Sequence, residues 1–121
     1  MAEPLTILCV DDEETPLAIR KLVFESAGYA VLTAGSGESA LEVFRSEKIK
    51  LAVIDYSMTG MNGLELAREM KLLNPQVPIL MLSGHASLPQ EAHSIADATI
   101  QKAGDPRQLL ELATELIGQS M

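Results

Sequence analysis

The sequence predicts an α/β fold: a doubly wound parallel sheet of five strands with helices on both faces. Two observations carry this. Short apolar runs alternate with segments of helical period, uninterrupted by repeats, low-complexity stretches or long linkers, and the runs are apolar nearly throughout rather than at every second position. At 121 residues the chain has the size of one domain that buries most of its apolar surface without staples.

The expected strands are "LTILCV" (5 to 10), "YAVLTA" (29 to 34), "LAVI" (51 to 54), "VPILML" (77 to 82) and, more weakly marked, "DATIQ" (97 to 101). Between the first two, Pro16 opens a helix in its first turn, with Ile19, Leu22, Val23 and Ala27 expected on the inward face and Gly28 ending it. A second helix is expected from about Glu38 to Arg45. A third, from Asn62 to Leu73, is expected to bury Leu66, Met70 and Leu73. The last follows Asp105 as N-cap and Pro106 at N1, with Leu109, Leu112, Ala113 and Leu116 inward. The stretch "GHASLPQEAHSIA" (84 to 96) offers Ser87 and Gln90 as a capping box for a short or irregular fourth helix.

Lys and Arg number 9 against 17 Asp and Glu, a net charge of −8, which disfavours nucleic acid as a direct partner and favours proteins or metal ions. The one cysteine, Cys9, lies in an apolar run and reads as a small buried hydrophobe. No basic segment precedes an apolar core at the N-terminus and no uncharged run reaches about 18 residues, so a cytoplasmic protein is expected. His85 and His93 read as surface histidines, and Met58, Met61, Met70 and Met81 as packing residues.

In an open parallel sheet the functional crevice lies beyond the carboxyl ends of the strands. Four loops converge there: "DDEE" (11 to 14), Asp55, "SGH" (83 to 85) and Lys102. Neighbouring carboxylates repel by roughly 1 kcal/mol per pair at 4 Å in water and roughly 4 at an effective dielectric of 20, so the cluster calls for a cation. Oxygen ligands without His or Cys favour Mg2+ over zinc. With Asp55 as nucleophile, Mg2+ and Lys102 would neutralise a phosphoryl group while Ser83 hydrogen-bonds one of its oxygens.

Through "VDDE" (10 to 13), "IDYSMTGMNG" (54 to 63), "MLSG" (81 to 84) and "QK" (101 to 102), in that order, the sequence resembles the receiver domains of two-component response regulators, in particular the single-domain chemotaxis type. The resemblance implies a flavodoxin-like strand order 2-1-3-4-5 and a receiver domain spanning 1–121. It implies Asp55 as phosphoacceptor, and Asp12, Asp55 and the backbone carbonyl of Ser57 as Mg2+ ligands. Asp11 would act through a coordinated water, with Ser83 and Lys102 on the phosphoryl oxygens. The phosphoryl donor would be a histidine kinase or a histidine phosphotransfer protein. Such a protein catalyses only its own phosphorylation and dephosphorylation, and signals by protein contact. With no basic recognition helix, the output is expected to be another protein or a domain outside this sequence.

The sequence departs from the family in three places. Thr59 and Ala103 stand where proline is usual, the second normally after a cis bond, so a trans Lys102 to Ala103 bond would re-aim the lysine. Thr99 replaces the usual switch aromatic. The Thr99 and Ala103 departures keep open a phosphorylation-independent interaction module. A phosphatase of the haloacid dehalogenase type is a further alternative, weakened because Ser57 occupies the place of its second Asp.

Overall fold

The computed structural model describes residues 3–84 and 87–119. In chain order the elements are β1 (Thr6–Val10), α1 (Glu14–Ser26), β2 (Ala30–Ala34), α2 (Gly37–Ser46), β3 (Leu51–Asp55), α3 (Gly63–Leu73), β4 (Ile79–Ser83), α4 (Gln90–Ile95), β5 (Ala98–Gln101) and α5 (Pro106–Gln119). All strand pairs are parallel, and the sheet order is β2-β1-β3-β4-β5, as expected.

Alternation along each strand divides the core in two. Leu8, Val10, Ala52, Ile54 and Met81 face the layer formed by α2, α3 and α4, against Phe44, Leu66 and Met70. Ile7, Cys9, Val53 and Leu80 face the other way, onto Phe24 of α1 and Leu109, Ala113 and Leu116 of α5. Burial on both faces is why these strands read as unbroken apolar runs.

The helix ends follow local chemistry. Gly28, at φ +95°, ends α1, and its N–H donates to the Glu25 carbonyl at 3.0 Å. Ser36 and Ser39 form a reciprocal cap on α2, and Asn62 and Glu65 do the same on α3. Asp105 accepts the Arg107 N–H at 2.9 Å, capping α5 as expected.

Three expectations are corrected. The inward face of α1 carries Leu17, Arg20 and Phe24, with Val23 half-buried, whereas Ile19 and Leu22 are 54% and 66% exposed and Ala27 is also exposed. An inward arginine rotates the true face away from the one hydropathy selects. Leu73 is 45% exposed, because α3 ends there and Val77, after the turn, fills the core at that level. Ser87 caps nothing: Pro89 holds the cap position in an extended conformation and α4 begins at Gln90 without a side-chain cap. The fourth helix is short, six residues, held by Leu88, Ala92 and Ala96 and an exposed pair between Arg68 and Glu91.

Met58, Met70 and Met81 are buried, and His93 is exposed. His85 lies outside the described residues.

Candidate functional site

Each acidic or basic candidate sits where a strand releases the chain. Asp11 follows β1, its N–H fixed on the Ala34 carbonyl at 3.1 Å, and its side chain is 1% exposed as a residue despite its charge. Asp55 closes β3, equally buried, with the Tyr56 N–H on the Leu82 carbonyl at 3.0 Å. Gly63 makes that turn possible: a Cβ there would stand 2.7 Å from Tyr56 Cα and 2.8 Å from the Asp55 carbonyl oxygen. Lys102 follows β5, and its N–H donates to the Ser83 carbonyl at 2.7 Å.

Charge draws these side chains together. Lys102 Nζ lies 3.0 Å from Asp55 Oδ2, 3.0 Å from Asp11 Oδ2 and 2.8 Å from Glu13 Oε1. The peptide bond after Lys102 is trans, since no described residue follows a cis bond, and the lysine still reaches Asp55. Asp12 is exposed; its Oδ2 accepts the Thr59 N–H at 2.9 Å and the Thr59 hydroxyl at 3.1 Å. The Ser57 N–H approaches Asp55 Oδ1 at 3.4 Å. Carboxylate oxygens of Asp11, Asp12, Glu13 and Asp55 lie within 4.8 Å of one another.

Ser83 stands apart. It pairs in register with Gln101 at the end of β4, while Asp55 pairs with Leu82, and no hydrogen bond joins Ser83 to Asp55 among the described residues. It lines a space of about 350 Å3 shared with Leu88, His93 and Thr99. Asp55, Ser57 and Lys102 open instead onto a cleft of about 870 Å3 with Glu13, Tyr56 and Leu88 on its walls.

The two buried acids are pushed in opposite directions. Burial would raise the Asp11 pKa, but hydrogen bonds from Arg20, the Glu13 backbone and Lys102 outweigh it and hold it below the usual carboxylate range. For Asp55, burial and the neighbouring Asp11 charge prevail over Lys102 and push the pKa up. Lys102 is held above the ordinary lysine range: burial opposes its charge, but the Glu13, Asp55 and Asp11 carboxylates outweigh that.

Two participants escape sequence reasoning. Arg20, 6% exposed, places Nη2 at 2.5 Å from Asp11 Oδ2. The signal that could reveal it is spacing: Arg20 lies four residues before the buried Phe24, on the same helix face. Thr59 was marked only by the absence of a proline, and its two bonds to Asp12 had no sequence signal.

Among the described residues four carboxylates face two cations, Lys102 and Arg20, which leaves two negative charges unmatched within one small volume. The donors are hard oxygens, with neither His nor Cys among them, and fit a divalent cation of the Mg2+ type.

The sequence profile of the response regulator receiver domain matches residues 7–114. The chain belongs to that family. It is therefore a receiver domain of the two-component response regulators. A curated relative, the transcriptional regulatory protein GlrR of Escherichia coli (strain K12), is 37% identical over 87 residues, which is 72% of this chain and 20% of GlrR. The chain thus spans about a fifth of the length of that regulator. Among solved structures, a CheY-like response regulator receiver domain protein from Methanospirillum hungatei JF-1 superposes with a TM-score of 0.90 at 32% identity, covering 97% of this chain and 96% of its own. The response regulator TrrA from Thermotoga maritima, solved in complex with Mg(2+)-BeF, gives a TM-score of 0.87 at 30% identity, over 93% of this chain and 98% of its own. Among the described residues, no helix is long and apolar enough to cross a membrane.

Proposed function

We propose that this receiver, taken as spanning residues 1–121, accepts a phosphoryl group on Asp55 from a phosphohistidine of a histidine kinase or histidine phosphotransfer protein. One carboxylate oxygen of Asp55 attacks phosphorus, the P–N bond to the donor breaks, and its electron pair leaves with the imidazole. The carrying observation is that Lys102 Nζ sits 3.0 Å from an oxygen of the buried Asp55, at the base of an open cleft. Lys102 neutralises the phosphoryl charge as it arrives. Ser83 would turn its hydroxyl toward the acyl phosphate once that group is present.

Asp12, Asp55 and the Ser57 carbonyl would hold Mg2+, with Asp11 engaged through a coordinated water. When bound, the ion supplies positive charge to the phosphoryl oxygens. The Mg(2+)-BeF bound to TrrA, a relative of the same fold, supports this assignment. On this reading the only catalysis is of the domain's own phosphorylation and dephosphorylation, in the cytoplasm, with output through protein contact.

The test is incubation with acetyl phosphate and Mg2+, read by intact mass. One added phosphoryl group on the wild type and none on Asp55→Asn is expected; stoichiometric labelling of Asp55→Asn would overturn the assignment. Asp12→Ala should weaken Mg2+ binding in a titration and slow labelling.

A second reading, an interaction module that works without phosphorylation, is favoured by one observation. Arg20 and Thr59 already satisfy oxygens of Asp11 and Asp12 from within the protein. A wild type that takes up neither Mg2+ nor a phosphoryl group would favour it over the phosphoryl-accepting reading.

A further inference from the structure

Arg20 is costly where it stands. A guanidinium at 6% exposure gives up its hydration, and a buried ion pair often stabilises no more than an apolar pair of the same shape. Its Nη1 is buried without a hydrogen-bond partner among the described residues, which adds to the cost. Its neighbours on the inward face, Leu17 and Phe24, are apolar, and a leucine or methionine in its place would continue that face. Fold stability alone therefore does not account for an arginine here.

The position accounts for it better. Asp11 Oδ2 receives Arg20 Nη2 at 2.5 Å and Lys102 Nζ at 3.0 Å, so one carboxylate of the cluster carries two fixed cations. Lys102 is shared with Asp55 and Glu13, but among the described residues Arg20 pairs with no acid other than Asp11. It approaches from α1, beneath the cluster, and belongs to the protein whatever occupies the cleft.

We propose that Arg20 is a resident counter-ion of Asp11 that lowers the divalent-cation affinity of the cluster and lessens the dependence of the metal-free fold on that cation. Arg20 is a positioning residue, acting on the metal only through Asp11 and by repulsion across it. It sets the Mg2+ concentration at which the domain becomes competent for phosphorylation. The inference rests on the metal-site reading above. A unit charge fixed one carboxylate away from a divalent ion, in a half-solvated site, is of the order that changes affinity about tenfold, which is ~1.4 kcal/mol.

The test compares wild type with Arg20→Met, which removes charge and donors, Arg20→Gln, which keeps an amide donor without charge, and Arg20→Lys, which keeps charge. Mg2+ binding is measured by calorimetry, and thermal unfolding is followed with and without Mg2+. Both neutral variants should bind Mg2+ about tenfold more tightly, melt lower without metal and gain more from adding it, while Arg20→Lys stays within about threefold of wild type. Simple structural damage would weaken binding instead. If wild type binds Mg2+ and neither neutral variant binds it more tightly, the inference is wrong and the metal site stands. If wild type and all variants bind no Mg2+, the metal site and the inference fall together.

Discussion

Thr59 donates both its backbone N–H and its hydroxyl to a single oxygen, Oδ2 of Asp12, at 2.9 and 3.1 Å. A proline at this position, usual in the family the sequence resembles, has neither donor. The loop after β3 is thereby tied back to the loop after β1 across the mouth of the site.

Thr59→Val, which keeps the N–H, should lower metal-free stability by about 0.5–1 kcal/mol, since the bond is exposed. Thr59→Pro should cost more, because a proline placed where an N–H was bonded destabilises. Urea denaturation checks the order, and a Thr59→Pro protein more stable than wild type would contradict the tie.

Asp11 and Asp55 should answer amide substitution with opposite signs. The folded pKa of Asp55 is raised, so its ionised form works against folding at neutral pH, and that penalty disappears as pH falls through the folded pKa. Without metal, Asp55→Asn should melt higher than wild type at pH 7, with the difference gone below the unfolded value of about 3.9. A lower melting point at pH 7 would refute this.

The folded pKa of Asp11 is lowered, so its ionised form contributes stability above its unfolded pKa that is lost as pH falls through the folded one. Asp11→Asn leaves Arg20 buried without its counter-charge and should cost about 3–5 kcal/mol at pH 7. The loss should shrink as pH falls below the unfolded value of about 3.9 toward the lowered folded one, where the ionised form no longer stabilises. Denaturant midpoints across pH 3 to 7 measure it.

Gly63 and Gly118 make a matched pair. Alanine at 63 would drive its Cβ into backbone atoms of Tyr56 and Asp55, which cannot swing aside, and should cost about 1–3 kcal/mol and slow phosphorylation by displacing Asp55. Alanine at 118, in α5 with nothing within 4 Å, should stabilise by about 0.5–1 kcal/mol. Equal effects at both positions would show that the close approach beneath Asp55 does not matter.

The signal should leave through α4 rather than through residue 99. Thr99 is half-buried, has no ring to swing, and borders the same space as Ser83 and Leu88. A phosphoryl group can shift the equilibrium only through contacts that differ between states, and Ser83 is the group able to change its contacts. Beryllofluoride with Mg2+ should alter amide hydrogen exchange chiefly in residues 87 to 96, and Thr99→Ala should preserve the response. Unaltered exchange there, or a response lost in Thr99→Ala, would sink this mechanism.

Most of the architecture was legible because strands buried on both faces announce themselves without regard to period, and because Asp11 and Asp55 each put a charge directly after an apolar run. What hid was set by partners distant in sequence. The partner of Arg20 is nine residues away in the loop after β1, so its spacing to Phe24 hints at the face but not at the partner, and that of Thr59 is 47 residues away with no local pattern at all. Hydropathy counting sends a charge outward by default, which turned α1 by the angle that exposed Ile19 and Leu22 in fact and buried them in expectation. The start of α4 was missed for the opposite reason: Ser87 has a fitting local signal, and Pro89 overrode it.

Cys9 lies in β1, flanked by β2 and β3, wholly buried, with its thiol pushed up to about 12 by burial. Alkylating reagents attack the thiolate and must reach it. Cys9 faces the layer of α1 and α5, and β2, which pairs with it at Thr33, is an edge strand, so modification of Cys9 under native conditions requires that helix layer or β2 to come away from β1. A chain without tryptophan thus carries a built-in clock for opening on this side of the sheet, readable as one mass increment per molecule. When closing outruns labelling, the modification rate divided by that of the unfolded chain is the open fraction itself. The effect of every change at the acid cluster on that opening can then be counted with the cleft untouched.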